Sequence, residues 1–351
     1  MPRNTQFTVS CPTAVNTDDC ILMAHGGGGT LMNRLIRKTF LSRFDSDRDK
    51  APHDSAVVRV GPARIAMTTD SFVVNPLFFP GGNIGSLAVH GTVNDLAMSG
   101  AKPLFLSAAY ILEEGLAVGQ LERIIDSMAE AARQAEVTII TGDTKVVDKG
   151  KGDGVFINTT GIGIVEGDRE ISPASIRPGD AIVVSGDIGR HGIAIMAERE
   201  GIQFESQIRS DSASVAHLVR AILDAGLDVH CMRDLTRGGL ASALNELATD
   251  AVVRIEIDEA AVPVRADVQS ACELLGFDPL YVACEGRFVS FINPDDAAAA
   301  IEIMNATPIG SQARLIGHVI AADSAGVIMR TRIGSSRIVE MLSGEQLPRI
   351  C

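Results

Sequence analysis

Carboxylates recur in this chain where apolar runs end or helices turn. Asp70 closes "TTD", Asp95 closes "VND" and Asp143 closes "TGD", with Asp54 in "HDSA" a fourth candidate. Several such side chains converging on one point would hold Mg²⁺, leaving phosphate and water to complete its shell. Taken singly, each reads more simply as a turn or cap residue. Four glycine-rich loops accompany them: "HGGGGT", "FFPGGN", "SGDIGRHG" and "TRGG". Glycine lets backbone N–H groups come close to phosphate, and a following helix adds its positive end. None is a P-loop, because no Gly-Lys-Ser/Thr follows. "TRGG" is the most pointed of the four, since Arg237 can fork onto an anion where a helix begins, with Gly238 beside it. A surface arginine next to a helix cap is the plainer reading of the same residues.

Lys145 in "GDTK" and Glu285 in "CEGR" are single polar residues beside apolar strands, and each alone reads as a salt-bridge partner. His25, His191 and His230 lack the spacing of a transition-metal site. The chain ends "LPRIC", with Cys351 last. A prenylation box needs its cysteine fourth from the end, so lipidation does not account for it. Two readings remain: a chance thiol packed against the body, or an arm whose nucleophile enters a cleft elsewhere. Pro348 favours an extended approach, and Arg349 is placed to offset the terminal carboxylate beside the thiol.

The elements that must position these residues alternate along 351 residues, long enough for two domains with separate cores. "AVVRV" and "RIAMTTD" read as a hairpin, after a helix over "LMNRLIRKTFLSRF" and a polar loop "DSDRDKAPHDS". "NIGSLAVHGTVNDLAMSG" reads as a helix with Asn83 as N-cap and Gly100 as terminal glycine. "PLFLSAAYIL" is a strand, "LERIIDSMAEAARQAE" an amphipathic helix, "VTIITGDTK" a buried strand opening into a loop, and "VFINTTGIGIV" a further strand. The Pro-, Gly- and charge-rich "EGDREISPASIRPGD" places a boundary near Gly167. The second half continues with "AIVVSG", helices from His191 and Ala213, "GGLASALNELATD", and strands "VVRIEI", "RFVSFI", "RLIGHVI" and "GVIMR". The division is 1–44, 45–166, 167–333 and a tail over 334–351, in the α+β class.

Composition narrows the function. Hydrophobic content of 46% and charged content of 21% fit an ordinary globular protein. No run of about 18 apolar residues offers a membrane span, and the start lacks a signal peptide's apolar core, so a cytoplasmic location is expected. Six cysteines form no Cys-x-x-Cys pair, as in a reducing compartment. A formal net charge of −13 without a basic cluster argues against nucleic acid. It leaves room for a nucleotide, which a cation can bridge to acidic side chains.

Taken together, "TTDSFVVNPLFFPGGNIG", "GTVNDLAMSGAKP", "ILEEG", "TGDTKVV", "DLTRGG" and terminal "PRIC" resemble the HypE family, the carbamoyl dehydratases of NiFe-hydrogenase maturation. The resemblance covers nearly the whole chain, and "FFPGGNIG" and "PRIC" are its most specific parts. It implies a two-domain fold like that of aminoimidazole ribonucleotide synthetase (PurM-like), with N-terminal domains pairing in a homodimer and ATP near their interface. It also implies that a HypF carbamoyltransferase places a thiocarbamate on Cys351, that ATP drives its dehydration to a thiocyanate, and that cyanide passes to iron on a HypC–HypD complex. By the same carry-over Asp70, Asp95 and Asp143 would hold Mg²⁺ and ATP, with Asn94, Thr144, Arg237 and Gly238 completing the nucleotide site. Lys145 and Glu285 would assist the dehydration. The chain departs from the family pattern at Cys284 and Arg287, where Asn and Lys are usual, and at Arg190, where Asp is usual. Two other readings stay open: an ATP-using relative such as a selenophosphate synthetase, with Cys20 as the reactive thiol, and a carrier whose tail is modified while its ATP fold is inert.

Overall fold

The computed structural model describes residues 20–44, 53–202, 204, 207–343, 347 and 349–351. Cys11, most of the polar loop before Asp54, and Pro348 lie outside them. Among the described residues the chain begins with α1 (Thr30–Leu35), whose helical path continues through Ile36–Leu41. Then come β1 (Ala56–Val60), β2 (Ala63–Phe72), β3 (Phe78–Phe79), β4 (Gly82–Asn83), α2 (Ile84–Met98), β5 (Ala101–Glu113), α3 (Val118–Gln134), β6 (Thr138–Val147) and β7 (Val155–Val165). The second half runs β8 (Ala181–Val184), α4 (Arg190–Glu200), α5 (Ala216–Asp224), β9 (Val229–Asp234), α6 (Gly239–Ala251), β10 (Arg254–Asp258), α7 (Ala266–Leu275), β11 (Phe288–Ile292), α8 (Ala297–Asn305), β12 (Arg314–Ile320), β13 (Gly326–Arg330) and β14 (Ser336–Val339).

The first sheet has the order β1-β2-β7-β5-β6, antiparallel except for the β5–β6 pair, which α3 connects. Alternation sends Ala66, Thr68 and Phe72 of β2 to one face, and Val155, Ile157 and Thr159 of β7 to the same face. There they meet α2, which also touches β9 and α5 of the second half. A helix packed on both sides must be apolar nearly all round, and Ile84, Leu87, Val89, Val93, Leu96 and Met98 are all fully buried. Its start is fixed by Asn83, whose side-chain oxygen accepts from the N–H groups of Gly85 and Ser86. The "FFPGGN" stretch is the β3–β4 hairpin that delivers this cap, with its glycines in the turn. Gly100 follows the helix with φ of +74°, as its terminal position requires.

Among the described residues no helix covers the opposite face of this sheet. Val58, Val60, Met67, Phe105, Ile111, Ile162 and Ile164 stand exposed on it. The second sheet has the order β14-β13-β10-β12-β8-β11-β9, and buries β8 and β11 on both faces. Strand β9, helices α7 and α8, and β14 carry too little alternation or capping signal to be read from sequence. "GDTK" is not a loop after a strand but lies within β6. The helix expected from Ala213 begins at Ala216.

Candidate active site: a buried acid cluster and an inserted C-terminus

Strand β2 ends beside the chain terminus. The N–H of Val73 donates to the Cys351 carboxyl oxygen at 3.0 Å, and that of Asn75 to the Arg349 carbonyl at 3.3 Å. Two backbone bonds therefore tie the tail along the extension of β2, with Arg349 in the left-handed region at φ of +53°. Ile350 and Leu347 are buried, and Cys351 is half-buried. Arg349 does not turn back on the terminal carboxylate as its place in the sequence suggested. Its guanidinium pairs with Asp153 and donates to the Val73 carbonyl at 3.1 and 3.2 Å.

The positive charge that acts on the thiol is Arg237. Burial pushes the Cys351 thiol well above its ordinary range, with Arg237 pulling it back and Glu285, Asp70 and Asp234 adding to the rise. Cys351 is in turn the largest influence raising Arg237. Arg237 sits just before α6, held there by a tight turn. Gly238 has φ of +79°, and a Cβ on it would lie 2.1 Å from Ser242 Oγ. Only glycine fits. Arg237 also donates to the carbonyl of Gly26 in "HGGGGT" at 3.5 Å. Loop and tail together line a cavity of about 350 Å³ with His25, Ser71, Arg237 and Cys351 on its wall, large enough for a small-molecule site.

Behind Arg237 lies an acid cluster. Asp95 accepts from Thr68 Oγ1 at 2.7 Å, and Asp70 accepts from the Ser71 N–H at 2.7 Å. Burial raises Asp95 well above the carboxylate range, and Asp234, Asp70 and Asp54 raise it further. Asp70 and Asp234 are raised for the same first reason, with Arg237 and Arg233 respectively as the main opposing charge. Asp54 pairs with Arg233 at 3.1 Å, and its other oxygen is buried with no hydrogen bond. Sequence reading did not single out Asp234, and its place after an apolar strand in "CMRDL" is the one signal that could have found it. Glu285 is buried, its Oε1 has no partner, and burial followed by Asp234, Asp70 and Asp211 raises it well above its usual value.

Four expected residues stand elsewhere. Asn94 is buried, and both its amide N–H groups are used: it donates to the carbonyls of Ala213 and Glu285 and accepts from the Val215 N–H. In this structure it acts as an interdomain clip. Asp143 and Lys145 pair with each other at 2.7 Å on β6, both well exposed. Strands β7 and β5 separate β6 from β2, so about 14 Å of sheet lies between Asp143 and Asp70, at roughly 4.8 Å per strand. Register also puts the two on opposite faces: Asp70, Thr159, Ala108 and Gly142 form one row, and Asp143 is the next residue. Thr144 is exposed on the same edge strand. Asp143 thus cannot share an ion with Asp70 and Asp95 within one chain. Among the described residues no three acidic, His or Cys side chains are grouped closely enough to enclose a metal ion by themselves.

Residues 52–165 match the N-terminal domain of AIR synthase related proteins, and residues 177–330 match their C-terminal domain. Over 330 residues the chain is 52% identical to the carbamoyl dehydratase HypE of Rhizobium leguminosarum bv. viciae, covering 94% of each. The chain belongs to the HypE family of carbamoyl dehydratases. HypE structures superpose along almost its full length. One in a HypE–HypF complex gives a TM-score of 0.83 at 46% identity, covering 88% of this chain and 99% of the other. Another, a HypE in complex with ATP, gives 0.80 at 46% identity, covering 95% and 100%. The expected two-domain PurM-like fold is the one observed. Membership in the HypE family removes the selenophosphate synthetase alternative, in which Cys20, exposed here, would be the reactive thiol.

Proposed function

We propose that this protein uses ATP to dehydrate a thiocarbamate on its own Cys351 to a thiocyanate, supplying the cyanide ligand of NiFe-hydrogenase iron. The observation that carries this reading is the insertion of Cys351 into a cleft beside Arg237, Asp70 and Glu285. The balance is thiocarbamate plus ATP giving thiocyanate, ADP and phosphate. The thiocarbamate oxygen takes the γ-phosphoryl group, the nitrogen loses two protons, and phosphate leaves as the C≡N bond forms.

The chain's residues divide that work. Arg237, at the start of α6, stabilises negative charge on the transferring group. Glu285 has an unpartnered oxygen and an elevated affinity for protons, which makes it a stronger base toward an amide N–H than an ordinary carboxylate. Asp70 and Asp95 would bind a cation in place of protons, with Asp234 adding negative charge nearby. Carboxylate oxygens are hard donors, and an incomplete set suits Mg²⁺, which keeps water and phosphate in its shell. When bound, Mg²⁺ supplies charge neutralisation at the phosphates. Asp143, Thr144 and Lys145 take part only if a second copy of the chain brings them there, which a C2 dimer through the helix-free face would allow.

The partners follow from the chemistry. A HypF carbamoyltransferase would load Cys351 when the tail is out, and a HypC–HypD complex would receive the cyanide, all in the cytoplasm. Mass spectrometry of the C-terminal peptide, after incubation with HypF, carbamoyl phosphate and ATP, tests the whole reading. A carboxamide adduct on Cys351 that loses water only with ATP is expected. An adduct that persists, with no ATP turnover, would make the protein a carrier instead.

A further inference from the structure

The backbone pairing of the tail leaves one carbonyl out. Arg349 and Cys351 turn their oxygens toward Asn75 and Val73, while the Ile350 oxygen between them points the other way, to α4 in the second domain. A buried carbonyl there needs a donor. His191, in the first turn of α4, provides it: Nε2 lies 2.6 Å from the Ile350 oxygen. A carbonyl only accepts, so Nε2 carries the proton. In the neutral ring Nδ1 is then the acceptor, and Ser210 Oγ donates to it at 2.8 Å. Ser210 Oγ in turn accepts from the Ser212 N–H at 3.0 Å. The ring is fully buried and edge-on to Phe79 at 5.6 Å between centroids. Burial also keeps it neutral, against the pull of Asp211 and the Ile350 bond. The next residue, Gly192, makes room for the tail, since a Cβ there would come within 2.9 Å of Leu347 Cδ1 and 2.6 Å of Val282 Cγ1.

We infer that His191 is the latch that sets the register of the C-terminal tail, holding Cys351 in the cleft as a positioning residue for dehydration. It touches neither the thiol nor the acid cluster. A one-residue slip would take the Ile350 carbonyl away from this donor, so a single fixed donor selects the register that presents Cys351 to Arg237. The inference deepens the reading of Cys351 as the modified thiol and rests on it, but docking can be measured without any catalysis.

The test is the rate at which Cys351 is alkylated by N-ethylmaleimide in the full-length protein, followed in the C-terminal peptide by mass spectrometry. His191→Phe keeps the ring's shape and removes the donor, which orphans a buried carbonyl in the docked state. It should raise the rate about ten-fold or more. His191→Gln, which restores an N–H near the Nε2 position, should return the rate to within about three-fold of wild type. With the loaded enzyme, His191→Phe should lower kcat and leave KM for ATP unchanged. If His191→Phe folds, by near-UV circular dichroism, and labels no faster than wild type, the latch is refuted. Equal labelling of the Phe and Gln variants would likewise reduce His191 to a packing residue. Should labelling behave as expected while wild-type Cys351 never accepts a carbamoyl group, the latch stands and the functional reading falls.

Discussion

The N–H of Val73 holds the carboxyl oxygen of Cys351 at 3.0 Å, which ties the last residue of the chain to the strand that carries Asp70. The contact is to the backbone oxygen of Cys351 itself, so it fixes the residue that carries the thiol. Extending the chain by two or three residues should weaken docking, and Cys351→Ala should abolish thiocyanate formation while leaving the fold and ATP binding intact. Thiocyanate found on the Cys351→Ala protein would mean that another cysteine is the carrier.

Asp95→Asn removes one charge from the acid cluster while keeping an acceptor for Thr68. ATP turnover should fall by a factor of about a hundred or more if Asp95 neutralises phosphate charge through Mg²⁺. Full turnover at saturating Mg²⁺ would remove Asp95 from the site.

The same cluster sets a pH dependence. Asp54, Asp70, Asp95, Asp234 and Glu285 all bind protons more readily folded than unfolded. Their contribution to stability is complete below the ordinary carboxylate range and is lost as pH rises through their elevated folded values. The ligand-free protein should therefore melt at a lower temperature as pH is raised from about 5 toward 8, and Asp95→Asn should flatten that slope. Calorimetry without Mg²⁺ or ATP measures it, and an unchanged slope in the variant would contradict the coupling.

Asn94→Ala leaves the buried Ala213 carbonyl and Val215 N–H without their partner between the domains, while the Glu285 carbonyl keeps the Ala213 N–H. The cost should be about 2 kcal/mol or more. A stable Asn94→Ala protein that binds ATP poorly would instead restore Asn94 to the nucleotide site.

The helix-free face of the first sheet, with Met67, Ile162 and Ile164 exposed, is the proposed dimer surface. Met67→Glu with Ile162→Glu should give monomers by light scattering. If Lys145 serves the partner's site, mixing inactive Lys145→Ala with inactive Cys351→Ala subunits should recover part of the activity. Mixtures that stay inactive would confine each site to one chain.

Much of the architecture was legible before folding because it is local. Period-two alternation marked β1, β2 and β7, and Asn83 and Gly100 bracketed α2 through capping chemistry that depends on a few neighbouring residues. The terminal thiol, Arg237 before its two glycines and the aspartates at strand ends were legible for the same reason, and so was the family. Tertiary structure alone decided which of them meet. Asp143 and Lys145 look like companions of Asp70 in sequence, yet strand order sets them about 14 Å away on the other face of the sheet. Asn94 borders Asp95 but turns its amide to the second domain, and Asp234, some 140 residues downstream of Asp95, joins the cluster instead. His191 carried no signal at all. Its role exists only because the folded tail leaves the Ile350 carbonyl facing α4, and burial then demands a donor at that point.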